Sequence, residues 1–329
     1  MSSSPKIDVS LIIPVHERTS ELCTLLDSLN QLNGRERLEI IVVDDGSSKS
    51  LEPAIRAKNY HWPITFLRNE QAKGPSAARN RGAKSARGGY LWFLDSDSEI
   101  CSPETLAALT ERLEALQVGA VGGVYEPFAE SGWKPVRLLL WPNFLFVYLL
   151  GKTAEETAGI VGGLGSCNLM VRKDDFESVA GFDETLRRDE DVDLCLKLSS
   201  RGLVIEQVSR GLVRHHLSSS GRETGQLAHF KSPRDYFKDM LGTRAKLLAR
   251  YRPMRAALLP ILDAVFFPLM ALQVFMKRYS TNRMSKMAAT SRVEWALALI
   301  NEMFSSYITA WKELGNRKGH KIYAQPVSV

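Results

Sequence analysis

The sequence has no pair of cysteines at zinc-site spacing: Cys23, Cys101, Cys167 and Cys195 stand alone and far apart. That scatter excludes a disulfide framework and fits a reduced, cytosolic setting in which each thiol is a small core residue. The start, Met1 to Lys6, lacks a basic stretch followed by an apolar run, so no secretory leader is expected. Internal repeats and low-complexity segments are missing too. What the chain does have is 44% hydrophobic residues in 329, enough for one large α/β domain plus an appendage.

Charge is unevenly spread. The net charge is +6, yet residues 231–329 hold 17 Lys/Arg against 6 Asp/Glu, a net of +11. The first 230 residues are therefore acidic on balance, at −5. An acidic body with a basic tail suggests catalysis in the first part and an anionic partner for the second. Apolar runs within the tail favour a membrane surface over nucleic acid, which is not expected as a partner.

Apolar patterning alternates strands and helices. Strands are expected at Val9–Val15, Leu38–Val43, Ile64–Leu67, Tyr90–Leu94 and Ser166–Val171, with extended segments at Leu203–Val208 and Leu212–His215. Helices are expected at Ser20–Asn30, Pro75–Ala86, from Ser102 onward, at Asp189–Ser200 and at Trp295–Trp311. Nearly continuous apolar strands separated by helices predict an α/β fold with a mostly parallel sheet buried on both faces. In such sheets, ligands bind beyond the carboxyl ends of the strands. Those ends carry Pro14–Glu17, Asp44-Asp45 and Asp95-Ser96-Asp97.

Each polar cluster has a chemical reading beside a plain one. Asp95-Ser96-Asp97 closes an apolar strand; by itself it is also the composition of a solvated acidic turn. Two carboxylates there suit a hard divalent cation, Mn²⁺ or Mg²⁺, bridging to a diphosphate. Asp44 and Asp45 are either turn carboxylates or fixed acceptors for a base or ribose. Arg79, one turn into a small-residue helix, is a phosphate ligand or a surface arginine. Asp189-Glu190-Asp191-Val192-Asp193 crowds four acids, which fits a helix start and also raises the affinity of some of them for protons, as a general base needs. His215 and His216 offer a metal nitrogen. Gly159–Gly165 reads as a mobile loop.

Taken in order, Leu11-Ile12-Ile13-Pro14-Val15-His16-Glu17, Ile41-Val42-Val43-Asp44-Asp45-Gly46-Ser47, Ala78-Arg79-Asn80-Arg81-Gly82, Phe93-Leu94-Asp95-Ser96-Asp97, Gly181-Phe182-Asp183-Glu184 and Glu190-Asp191 resemble the family 2 glycosyltransferases of GT-A fold. The resemblance covers about residues 7–217. It implies an inverting, metal-dependent transfer of one sugar from a nucleotide-sugar donor, with UDP the family prior, to a sugar or lipid-linked acceptor in cell-envelope polysaccharide, glycolipid or glycoconjugate synthesis. Pro14, Val15, Glu17, Asp44, Asp45, Arg79, Asp95 and Ser96 would bind the nucleotide. Asp97, Asp95 and His215, with His216 as the alternate, would hold the cation. Asp191, with Glu190 beside it, would be the catalytic base.

The implied layout is a transferase domain over 1–230, with a nucleotide half at about 7–125 and an acceptor half at about 126–230. A basic helical region over 231–329 would follow. Its apolar segment, 256–276, is long enough to span a bilayer but holds Asp263, Pro260 and Pro268 between basic flanks. In-plane docking fits it better, placing the protein in the cytoplasm, peripheral on the inner face of the cell membrane. The aromatic stretch Trp133–Gly151 falls where relatives bind acceptors. No Gln-x-x-Arg-Trp follows Asp191, which favours single-sugar addition over processive synthesis. The rival readings are a nucleotidyltransferase, which would show a glycine-rich phosphate loop, and a membrane-bound scaffold of degenerate transferase fold.

Overall fold

The computed structural model describes residues 7–34, 37–60, 62–127, 137–139, 146–148, 159–216, 232–261 and 292–316. In chain order it forms β1 (Val9–Val15), α1 (Thr19–Ser28), β2 (Leu38–Asp45), α2 (Glu52–Arg56), β3 (Ile64–Asn69), α3 (Pro75–Ser85), β4 (Tyr90–Phe93), β5 (Ser98–Ile100), α4 (Thr105–Leu113) and β6 (Val118–Pro127). There follow β7 (Arg137–Leu139), β8 (Phe146–Tyr148), β9 (Gly159–Ile160), β10 (Leu169–Arg172), α5 (Lys173–Ser178), α6 (Glu190–Ser199), β11 (Val204–His215), α7 (Pro233–Tyr251), α8 (Pro253–Ala257) and α9 (Arg292–Gly315). These fall into two compact units; β7, β8 and α7–α9 belong to the second and the rest to the first.

The first unit is built on a sheet of order β3-β2-β1-β4-β10-β6-β11-β5, with β9 added to β11. β3, β2, β1 and β4 run parallel, and β10 enters antiparallel between β4 and β6. β1 explains why both faces are apolar. Val9, Leu11, Ile13 and Val15 enter one core layer with Leu22, Leu25 and Leu26 of α1. Ile12 enters the other layer with Ala78 and Ala83 of α3 and Phe93 of β4. Alternation of this kind buries every residue of a strand, so the run reads as continuously hydrophobic. The small residues of α3 let it lie flat on the sheet: a Cβ on Gly82 would sit 2.5 Å from Cγ2 of Ile12.

The chain winds from β1 outward to β2 and β3, then returns to β4 on the other flank of β1. That reversal opens a crevice at the carboxyl ends of β1 and β4. The parallel core expected from the sequence is this quartet. Other elements differ from expectation. Ser166–Asn168 forms a 3₁₀ turn, so β10 starts only at Leu169. The two extended segments after residue 203 are one long strand, β11, with a register shift between Val208 and Val213 where it crosses β6. The glycine segment expected to be a mobile loop is tied at its start, because β9 pairs antiparallel with Glu206 and Gln207 of β11. Val161 N–H also bonds Ile205 O at 2.9 Å.

The β6–β11 crossing leaves no room for a side chain. A Cβ on Gly123 would fall on the carbonyl of Gly211 and against Nδ2 of Asn168. Gly123→Ala should therefore cost about 3 kcal/mol, seen as a lower urea midpoint. An unchanged midpoint would show that the two strands can separate freely there.

In the second unit, Ser232 caps α7 by accepting the Asp235 N–H at 3.2 Å, with Pro233 in the first turn. Phe237, Leu241, Ala245 and Leu248 of α7 pack with Leu299, Met303, Tyr307 and Ala310 of α9. β7 and β8 pair antiparallel. They supply the described backbone of the Trp133–Gly151 stretch, whose remainder lies outside the described residues, as do residues 262–276 of the apolar segment. Among the described residues, no helix is long and apolar enough to cross a membrane.

Candidate active site

Strand β1 ends in Val15, and the backbone turns sharply at Glu17, whose φ of 57° lies in the left-handed region. A non-glycine residue there is strained, and such strain persists where surrounding bonds impose it. Here they do: Glu17 N–H donates to Ser47 Oγ at 2.9 Å, and its carboxylate accepts from Ser48 N–H and Ser48 Oγ. The side chain of Val15 joins the core instead of the crevice. Pro14, on the opposite face of β1, stays partly exposed.

Asp44 and Asp45 close β2, and both carboxylates are engaged internally. Asp44 accepts from Arg68 at 2.8 Å and from Ser47 N–H at 3.0 Å. Asp45 accepts from Asn69 at 2.6 Å, from Gly74 N–H at 2.8 Å and from Lys73 N–H at 2.9 Å. Asp45 thus takes up amide protons at the start of α3, as a capping side chain would. The two acids shape the crevice wall around Gly46.

Arg79 of α3 is buried, 3% exposed, and divides its guanidinium between two carboxylates. One nitrogen reaches Asp95 at 2.7 Å and another reaches Glu190 at 2.8 Å. Its plane lies 5.5 Å from the centre of the Phe182 ring. Burial disfavours the charged form, but the carboxylates of Asp95 and Glu190 outweigh that and raise the pKa of Arg79. The next residue, Asn80, holds the approach to α6: its side-chain amide bonds Phe182 N at 3.0 Å, Phe182 O at 2.9 Å and Glu184 at 2.9 Å. The Ala78-Arg79-Asn80 and Gly181-Phe182-Asp183-Glu184 motifs are thus two sides of one clamp.

Beyond β4, Asp95 and Asp97 meet the end of β11. Nε2 of His215 lies 3.1 Å from Asp97 and 3.6 Å from Asp95. One ligand atom from each of Asp95, Asp97 and His215 falls within 4.8 Å of the others. Ser96 is buried between the two acids. His216 goes elsewhere, to Glu99 at 2.8 Å, so of the two histidines it is His215 that joins the aspartates. Two carboxylate oxygens and an imidazole nitrogen make a donor set that could hold a divalent cation. Asp97 also meets Arg18, Nη1 to Oδ2 at 3.2 Å. No pattern in the sequence singles out Arg18; its part emerges only when α1 starts beside the aspartates.

α6 brings the acidic run. Asp189, with φ 62°, starts the helix in the left-handed region. Glu190 turns inward to Arg79, whereas Asp191 is half-buried and accepts from Ser166 N–H at 3.0 Å and Val192 N–H at 2.8 Å. Burial, with the negative charges of Glu190 and Asp189, pushes Asp191 up to about 7 against the opposing Ser166 N–H and Arg79. Asp193 is fully buried and pairs with Lys197 at 2.9 Å. Two links join this segment to the aspartate trio: Arg79, and the bond from Ser98 Oγ to Cys167 O at 3.3 Å beside Ser166. A groove of about 540 Å³ among Asn80, Phe176, Glu177, Asp183 and Lys197 includes none of the trio and not Asp191.

In sequence and in fold the chain is similar to known proteins. An uncharacterized glycosyltransferase of Haemophilus influenzae is 29% identical over 194 residues, which are 58% of this chain and 61% of that protein. The chain therefore spans less than two thirds of that relative's length. The amylovoran biosynthesis glycosyltransferase AmsB of Erwinia amylovora is 26% identical over 222 residues, 64% of this chain and 70% of AmsB. In fold, the chain is similar to the mannosyltransferase PcManGT from Pyrobaculum calidifontis, solved in complex with GDP-Man and Mn²⁺. The TM-score is 0.56 at 16% identity, over 95% of this chain and 89% of that one. The family model described as glycosyl transferase family 2 matches residues 10–179, from β1 through α5, and by that match this chain belongs to glycosyl transferase family 2.

Proposed function

We propose that the chain transfers a single sugar from a nucleoside-diphosphate sugar, UDP-linked in the first instance, to an acceptor hydroxyl with inversion at the anomeric carbon. The observation that carries this reading is Arg79: one guanidinium grips Asp95 of the trio and Glu190 beside Asp191, so base and cation ligands share a single site. Pro14, Glu17, Asp44 and Asp45 form the wall for base and ribose, with Asp45 acting through the Lys73 and Gly74 backbone it holds. Asp95, Asp97 and His215 would hold a divalent cation, which when bound supplies positive charge to the departing diphosphate.

Asp191, ionised, removes the proton from the acceptor hydroxyl. The oxygen forms the new bond at the anomeric carbon from the face opposite the diphosphate, and the bonding pair of the old C–O bond leaves with the diphosphate. Arg79 fixes Glu190 and so limits how Asp191 sits. The Gly159–Gly165 segment next to Ser166 keeps water from the donor. A cell-envelope polysaccharide, glycolipid or glycoconjugate is the product class, a sugar or lipid-linked hydroxyl the acceptor, and the inner face of the cell membrane the place. The nucleotidyltransferase reading is not favoured, since the family match is to glycosyltransferases.

The test is release of free nucleoside diphosphate across UDP-, GDP- and dTDP-sugars, with and without Mn²⁺. Release with none of them would overturn the proposal. For the cation, Mn²⁺ at about a hundred times its Kd should stabilise the parent by about 2.7 kcal/mol. Asp97→Asn should lose that gain in a thermal melt. An equal Mn²⁺ shift in both proteins would remove Asp97 from the ligand set.

A further inference from the structure

Helix α9 carries two apolar faces. One, with Ala298, Leu299, Met303, Tyr307 and Ala310, is buried in the core of the second unit. The other is exposed: Leu297, Ile300, Phe304, Ile308 and Trp311 range from 38% to 63% in exposure. At 100° per residue these five fall within an arc of about 80°, a stripe running most of the helix. A solvated helix face is ordinarily polar, and a continuous exposed apolar stripe marks an interaction surface. Apolar side chains at the other described end of the unit behave the same way, with Met254 at 78%, Leu258 at 48% and Ile261 at 64%.

Charge selects the partner. Residues 232–261 contain seven Lys/Arg and two Asp/Glu, within a region 231–329 of net charge +11. Arg252 is pushed down by burial and by the neighbouring charge of Arg255, so anions nearby would be favoured. An acidic protein surface would meet the cations but would not need a stripe of Leu, Ile, Phe and Trp of this length. An interface of acyl chains beneath anionic headgroups meets both at once. Trp311 is of a type that settles at that boundary, and Phe304 of a type found on the apolar face of in-plane helices.

We propose that the second unit docks on an anionic bilayer surface, with α9 lying in the plane of the interface through Leu297, Ile300, Phe304, Ile308 and Trp311. α8 adds Met254, Leu258 and the cations Arg252 and Arg255. The helix lies on the membrane and does not cross it. This docking rests on the placement at the inner face of the cell membrane given under the proposed function, and vesicle binding is read whether or not sugar transfer is detected.

The experiment is sedimentation of the full chain with phosphatidylcholine vesicles, with and without a quarter of phosphatidylglycerol. Binding is expected chiefly to the anionic vesicles and should fall with salt, each engaged cation contributing about fivefold. Phe304→Ser with Ile308→Ser should weaken it at least about tenfold. Ile308 is exposed and Phe304 touches the core only edge-on at Tyr307, so the melting temperature should fall slightly and lipid-free nucleotide release should match the parent. Arg252→Gln with Arg255→Gln should weaken binding to anionic vesicles alone. Failure to sediment with either vesicle, or equal sedimentation of the Phe304/Ile308 variant, overturns the proposal. So does a lipid-free dimer in sedimentation velocity that the same variant abolishes, which would assign the stripe to a second copy of the chain.

Discussion

Asp191→Asn should lower turnover by about 10²- to 10⁴-fold, the usual contribution of a general base, while donor affinity measured by thermal shift stays the same. The pH dependence carries the sharper test. A carboxylate raised to about 7 must lose its proton to act, so the parent's rate climbs as pH rises through about 7. The residual rate of the Asn variant should lack that step. Stability should move the other way. The ordinary value of 3.8 applies in the unfolded chain, so between 3.8 and about 7 the folded state holds the extra proton. The resulting stabilisation is complete below 3.8 and is lost as pH rises through about 7. Asn is never ionised and escapes the loss, so above pH 7 the inactive variant should melt higher than the parent. A variant that is slow and also less stable at alkaline pH would mean that Asp191 is structural.

Arg79→Met should be the most damaging substitution to the fold. It leaves the buried Glu190 and the partly exposed Asp95 without their shared cation. Removing one partner of a buried ion pair costs roughly 3–5 kcal/mol, to be read from urea unfolding. Adding Glu190→Gln should return part of that loss, because one stranded charge is gone. If the double variant is no more stable than Arg79→Met alone, the guanidinium does not serve the two acids together. Arg79→Lys should rescue little, since one ammonium cannot span both carboxylates as a forked guanidinium does.

The parallel strands of this architecture were readable in the sequence because β1, β2 and β4 are buried on both faces. Their apolar runs are unbroken and their polar ends abrupt, so Asp44-Asp45 and Asp95–Asp97 announce where strands stop. β6 went unseen for the opposite reason: Val118-Gly119-Ala120-Val121-Gly122-Gly123 is weak in strand formers, and its glycines answer to Leu203, Leu164 and Gly211, which approach it from distant parts of the chain. β11 read as two pieces because its register shifts midway. Residue types made Asp97, Asp191 and the pair His215/His216 candidates, but only the position of β11 against β5 distinguishes the two histidines. Arg79 read as a phosphate ligand or a surface arginine, whereas it is buried on Asp95, 16 residues on, and on Glu190, 111 residues on at the start of α6. Arg18 left no signal at all, and the exposed stripe of α9 can be told from its packed face only once the helix's contacts with α7 are known.

The three-way contact of Arg79, Asp95 and Glu190 also constrains how such a protein can diverge. Loss of Arg79 strands both carboxylates, whereas loss of either acid leaves the guanidinium paired with the other, so tolerated change must begin at an acid and not at the arginine. Drift at these sites should be correlated, and a descendant that has lost Glu190 should more readily have lost Arg79 than one that has kept it. Random mutation of this protein should therefore find few survivors at the Arg79 codon, and more at the codons of the two acids that share it.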